Sequence, residues 1–223
     1  MKQIPLAIGS EPPRAFENFL AGANRLCVEH LVALRPGSAP VYFWGPSGSG
    51  KSHLLHATAG AFQDRGARVG SFGAAAALPW PYDDAWELIV FDDCEQLDAD
   101  RQQAAFALFV EATAQATSIA AAGLVPPVDL PLRDDLRSRL GWGHVFGLQP
   151  LAEPEVRSAL RREADRRGAF LSDDVMDYLL TRFARDLKHL MAQLDRLDEF
   201  ALANKRAITV PLLKQMLADE GGA

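Results

Sequence analysis

Gly45-Pro46-Ser47-Gly48-Ser49-Gly50-Lys51-Ser52 puts two kinds of chemistry into one short stretch. The glycines let a loop turn its backbone N–H groups inward around an anion, and a helix starting just after the loop adds its partial positive charge. Lys51 can reach the outer phosphates of a nucleotide as a point charge, and the Ser52 hydroxyl can ligate Mg²⁺. The spacing is the complete GxxxxGK[ST] phosphate loop, which needs a strand before it and a helix after it. Further along, Leu88-Ile89-Val90-Phe91-Asp92-Asp93 is an apolar run closed by two carboxylates. Asp92 suits the Mg²⁺ water shell, and Asp93 suits orienting or deprotonating a water. The two motifs predict a site for ADP or ATP with Mg²⁺, built from Gly45 to Ser52 and Asp92.

Such a site must ride on a parallel sheet with crossover helices. Residues 14–149 alternate short apolar runs with helical stretches, the pattern of that architecture. Strands are predicted at Val41–Trp44, Ala67–Phe72, Glu87–Phe91, Thr117–Ala122 and Val145–Leu148. These runs do not alternate, as expected where helices cover both faces. Residues 150–219 contain no strand-like run and predict a small helical domain. Its first helix runs from Pro154 to about Gly168, and Ser172 with Asp173 and Asp174 opens the second. A third spans Asp186 to Ala203, with Leu187, Leu190, Met191, Leu194 and Leu197 as its core seam, and a short fourth follows Pro211. Residues 1–13 form a tail and 220–223 a loose end. Ala74–Ala77 with Leu78-Pro79-Trp80-Pro81 reads as a surface connector.

Composition bounds what the site can serve. The chain has 223 residues, 48% hydrophobic and 23% charged, an ordinary balance for a soluble globular protein. Cys27 and Cys94 have no metal-ligand spacing, which excludes a disulfide scaffold or zinc module. No apolar run approaches a membrane span, and the N-terminus lacks a signal-peptide layout, so a cytoplasmic protein is expected. The net charge is −6; from Arg133 onward basic and acidic side chains balance at 15 each, leaving 8 basic against 14 acidic before it. A protein that grips duplex DNA alone shows a basic face or tail. No direct sequence-specific DNA binding is therefore expected.

Further residues resemble a known family. Lys51-Ser52-His53-Leu54-Leu55-His56-Ala57 is similar to the phosphate loop and helix of the bacterial replication initiator DnaA and its relatives. Phe16-Glu17-Asn18-Phe19-Leu20-Ala21-Gly22-Ala23-Asn24 resembles the segment that lies near the adenine in that family. Pro126-Pro127 followed by Leu136-Arg137-Ser138-Arg139-Leu140-Gly141-Trp142-Gly143 resembles its arginine-finger segment. The resemblance covers residues 14–219 and implies an AAA+ module: a P-loop α/β core with a five-stranded parallel sheet, then a helical lid. DnaA's further helix-turn-helix domain is expected to be absent. Gln3-Ile4-Pro5-Leu6-Ala7-Ile8 resembles the sliding-clamp-binding peptide, with Gln3, Leu6 and Ile8 as its anchors. A DnaA-like module with such a tail resembles the Hda family, which bridges the DNA-loaded clamp and ATP-bound DnaA and stimulates hydrolysis of DnaA's ATP.

The resemblance assigns roles residue by residue. Arg139 falls where the family's finger reaches a neighbour's γ-phosphate, a task that suits a permanent charge with a planar fork of donors. Lys188 falls where the lid senses that phosphate, usually with an arginine; lysine loses the bidentate fork. The family shows a polar residue at the end of the fourth strand, whereas Ile119-Ala120-Ala121-Ala122-Gly123-Leu124 offers none. With Asp93 shorter than a glutamate, weak hydrolysis by the chain itself is implied. His53 and His56 lack a third ligand for Zn²⁺, and Trp44, Trp142 and the twelve phenylalanines are read as packing residues.

The expected function is thus inhibition of replication re-initiation: a nucleotide-bound regulator that links the clamp to DnaA. A homodimer through the Arg139 face is a further expectation. The rival readings are an autonomous ATPase such as a helicase loader, and a structural adaptor whose nucleotide only stabilises the fold.

Overall fold

The computed structural model describes residues 14–183 and 186–220. The described residues fall into two compact units, residues 14–46 with 50–149, and residues 150–220 grouped with Ser47–Ser49.

The first unit is organised by five short parallel strands. They are β1 (Val41–Trp44), β2 (Arg68–Phe72), β3 (Trp86–Phe91), β4 (Ser118–Gly123) and β5 (His144–Gly147), in the spatial order β2-β3-β4-β1-β5. Each lies within a residue or two of its sequence-predicted position. Val, Ile, Tyr, Phe and Trp dominate β1 and β3, residues that fill a pleated surface well. The connecting helices are α1 (Arg25–Ala33), α2 (Lys51–Gln63), α3 (Ala99–Ala114) and α4 (Asp134–Leu140).

Neighbouring residues of each strand point to opposite faces, and each face has its own core. Tyr42, Ile89, Phe91, Ile119 and Ala121 pack against Leu108 and Phe109 of α3 and Leu136 and Leu140 of α4. Val41, Phe43, Leu88, Val90, Ala120 and Ala122 pack against Leu31 of α1 and Leu54, Leu55 and Phe62 of α2. All six residues of β4 are buried, so its small side chains admit helices closely on both sides.

The stretch Ala74–Pro81 runs along the surface as its composition predicts, with Ala75, Ala77, Leu78, Pro79 and Pro81 exposed, except that Trp80 turns inward. Trp80 is buried in the α3-side core, 4.9 Å between ring centroids from Phe72 and 6.4 Å from Phe91. The indole joins this aromatic cluster while its buried Nε1 has no hydrogen-bond partner among the described residues.

The second unit is four helices: α5 (Glu153–Arg166), α6 (Asp173–Arg182), α7 (Leu187–Asn204) and α8 (Val210–Glu220). Their starts follow their caps. Ser172 Oγ accepts from Val175 N, and Asp186 Oδ1 accepts from His189 N at 2.8 Å. Leu190, Leu194 and Leu197 are fully buried among Val175, Leu179 and Leu212, with Leu187 and Met191 partly buried beside them, as the helical spacing predicts. Among the described residues no helix is long and apolar enough to cross a membrane.

Candidate nucleotide site and finger face

The strand order brings the carboxyl ends of β1, β4 and β3 side by side, and ligands in open α/β sheets bind at such an edge. The phosphate loop leaves β1 there. Gly45 N donates to the Gly123 carbonyl at 3.3 Å, which ties the loop to the tip of β4. Gly50 then opens α2 at φ +94°, and a Cβ on it would lie 2.5 Å from the Phe19 ring. Only glycine fits both that backbone and that approach. Phe19, from the segment before the first strand, therefore stands beside the loop.

Lys51 is buried, and its ammonium donates to the carbonyls of Gly45 (2.8 Å) and Pro46 (3.0 Å). Ser49 Oγ is buried with no hydrogen-bond partner among the described residues. An ammonium resting on its own loop and an unmatched hydroxyl are groups that phosphate oxygens would satisfy. Burial lowers the proton affinity of Lys51, while Glu95, Asp92 and Asp93 oppose that shift.

Asp92 and Asp93 follow β3 as predicted. Asp92 N donates to the Phe72 carbonyl at 3.0 Å, and Asp92 Oδ1 accepts from Asp93 N at 2.9 Å. Asp93 sits in the left-handed region at φ 49°. Burial, then the charges of Asp92 and Glu95, push its carboxyl above the usual range against the pull of Lys51. The loop and both carboxylates thus form one electrostatic group, as the motifs imply.

Glu95 is the residue that sequence reasoning passed over. It lies in a 3-10 turn, Cys94–Gln96, and its Oε2 accepts from Leu124 N at 3.0 Å. A carboxylate therefore does stand at the tip of β4, contributed by the turn after β3. No periodicity could reveal it, because the pairing depends on β3 and β4 being neighbours.

Arg139 belongs to the other side of the sheet. It lies in the last turn of α4, and its guanidinium carbon lies 4.8 Å from the centroid of Trp142 and 5.6 Å from that of Phe106 on α3. Trp142 is not the packing residue its type suggests, for it is 64% exposed.

Residues 153–217 match the family described as Hda, lid domain. Domain III of the Thermotoga maritima replication initiation protein DnaA superposes with a TM-score of 0.76 at 20% identity, over 95% of this chain and 98% of that one. The chain therefore has the fold of DnaA domain III, and its residues 153–217 match an Hda lid domain. The same core is found in AMPPCP-bound DnaA from Aquifex aeolicus (TM-score 0.70, 23% identity, 84% of this chain). There the chain spans only 66% of the other protein, short of two thirds. The RuvB Holliday junction branch migration motor of Thermotoga maritima shares the fold more distantly (TM-score 0.67, 15% identity, 92% of this chain and 72% of that one).

Within the residues that match the Hda lid domain, Lys188 is exposed in the first turn of α7. Gln3, Leu6 and Ile8 lie outside the described residues. In the first unit, the His53 ring bonds the Ala15 carbonyl at 2.9 Å, tying α2 to the preceding segment, and the His56 ring bonds the Ser52 carbonyl of its own helix at 2.6 Å.

Proposed function

We propose that this AAA+ protein binds ADP or ATP with Mg²⁺ and regulates replication initiation by stimulating hydrolysis of DnaA-bound ATP while tethered to the sliding clamp. The observation that carries this reading is the position of Arg139. It packs on the α3 and α4 side of the sheet, whereas the helix bearing Lys51 covers the opposite side. An arginine so placed suits a neighbour's phosphate better than the chain's own.

The chain's own site would hold nucleotide as a structural ligand. Lys51 would exchange the Gly45 and Pro46 carbonyls for phosphate oxygens, and the loop N–H groups from Ser47 to Ser52 would surround the β-phosphate. Ser52 and Asp92 would hold Mg²⁺, which when bound neutralises phosphate charge. Lys188 would report on the γ-phosphate. Asp93, with its raised proton affinity and short arm, would be a poor water-orienting group, which keeps turnover by the chain itself slow. The AMPPCP-bound state of the Aquifex aeolicus relative supports nucleotide binding here.

Toward DnaA, Arg139 would place its permanent charge and planar donors on the transferring phosphoryl group. A finger supplied in trans is worth about 10³–10⁵ in rate, or roughly 4–7 kcal/mol of barrier. The same face could pair two copies of the chain. Gln3, Leu6 and Ile8 would seat in an apolar groove of the clamp as an extended peptide.

The test is DnaA ATP hydrolysis with DNA-loaded clamp, comparing wild type with Arg139→Ala. Loss of nearly all stimulation is expected; full stimulation by the variant would refute the finger. One observation favours a second reading, an autonomous ATPase such as a helicase loader: Glu95 adds a carboxylate beside Asp93 and Lys51. Turnover by the purified chain alone, at more than a trace rate, would select that reading.

A further inference from the structure

We propose that Trp142 is the positioning residue of the Arg139 finger, with Phe106 as the second wall of an aromatic clamp. The inference rests on the finger reading and adds how the guanidinium is kept usable.

The three arginines of this region are held in different ways. Arg137 is ion-paired to Asp134, and Arg133 to Asp135 at 2.7 Å. Both have donors engaged with carboxylates, although Arg133 also lies over the Phe106 ring, 6.0 Å from its centroid. Arg139 forms no such ion pair among the described residues; what holds it is the faces of Trp142 and Phe106. The difference is chemical. A carboxylate takes up the in-plane N–H donors and neutralises the charge, whereas an aromatic ring covers only the flat face of the guanidinium. Stacking leaves the edge with its N–H fork available to phosphate oxygens. It also restricts the rotamers of a long side chain before the partner arrives, which lowers the entropy lost on engagement.

The indole can serve as a wall because its own backbone is pinned. Trp142 N donates to the Arg139 carbonyl at 3.1 Å, so the ring is tied to the residue it orients. One residue on, a Cβ on Gly143 would lie 1.8 Å from the Pro40 carbonyl oxygen, and His144 N donates to that oxygen at 2.9 Å. The turn is thereby locked between the end of α4 and the start of β5.

The experiment measures stimulated DnaA ATP hydrolysis with DNA-loaded clamp, as a function of the full chain's concentration, for Trp142→Ala, Trp142→Phe and Arg139→Ala. Trp142→Ala is expected to lower the maximal stimulated rate about 10-fold or more while the half-saturating concentration moves less than about 3-fold. Trp142→Phe, which restores a ring face, is expected to recover most of the rate. Melting temperature checks that each variant folds. A half-saturating concentration that rises at unchanged maximal rate would make Trp142 a docking residue and overturn the proposal. So would an Ala variant at wild-type rate, or a Phe variant no better than Ala. Full stimulation by Arg139→Ala would instead remove the finger reading itself, whatever Trp142 does.

Discussion

Lys51 and Asp93 show how the site is prepared at the residue scale. Burial, and then the charges of Asp92 and Glu95, raise the Asp93 pKa against the pull of the Lys51 ammonium. A raised carboxyl pKa means that the ionised form is less favourable in the fold than in the unfolded chain. That cost is present at high pH and disappears as pH falls through the folded pKa. Asp93→Asn removes the charge, so the ligand-free variant is expected to melt higher than wild type at pH 8, with the gap closing toward pH 4. Scanning fluorimetry without nucleotide measures this, and equal melting temperatures at pH 8 would show that Asp93 carries no such cost. Lys51→Ala should abolish the melting-temperature rise given by ADP or ATP with Mg²⁺, because its ammonium is the group already lying along the loop. Asp92, Asp93 and the phosphate loop were legible in the sequence because their spacing is local. Glu95 and the exposure of Trp142 were not, since each depends on which distant elements are neighbours.

At the scale of elements, the strands were readable because both faces are covered and the runs are therefore unbroken. Trp80 escaped that reading because its burial comes from a loop folding back on β2 and β3, a tertiary effect with no period to detect. The lid helices were readable from their caps and leucine spacing, but their polar links were not. Glu163 on α5 accepts from Arg166 of its own helix and from Arg167 just past its end, and Arg167 also pairs with Asp195 on α7. Those hydrogen bonds, against the opposing effect of burial, bring the Glu163 carboxyl from 4.5 down to about 2. A depressed carboxyl pKa stabilises the fold above the unfolded value and is lost as pH falls through the folded one. Glu163→Gln is thus expected to cost about 1–2 kcal/mol at pH 7. That penalty should shrink progressively below pH 4.5, toward the folded value of about 2. Urea unfolding at stepped pH reads it, and a penalty independent of pH would mean that packing, not charge, is what Glu163 supplies.

For the whole molecule, the proposed regulator separates delivery from chemistry. The finger and its aromatic clamp belong to the described α/β core, whereas the anchors Gln3, Leu6 and Ile8 lie in the N-terminal tail. A tether raises the local concentration of the finger near DnaA without adding contacts at the phosphate. Removing residues 1–8 should therefore leave the maximal stimulated rate intact and raise the concentration needed to reach half of it, by about 10²–10⁴-fold for a well-matched linker. The measurement is a titration of the truncated chain into ATP-loaded DnaA, with and without DNA-loaded clamp. Clamp should shift the wild-type curve strongly and the truncated curve hardly at all. A truncation that lowered the plateau would place the tail at the reacting phosphate, and one that left both curves unchanged would remove the clamp from the mechanism. Because the two functions fail along different axes of one titration, the tail and Arg139 can be judged independently in the same assay.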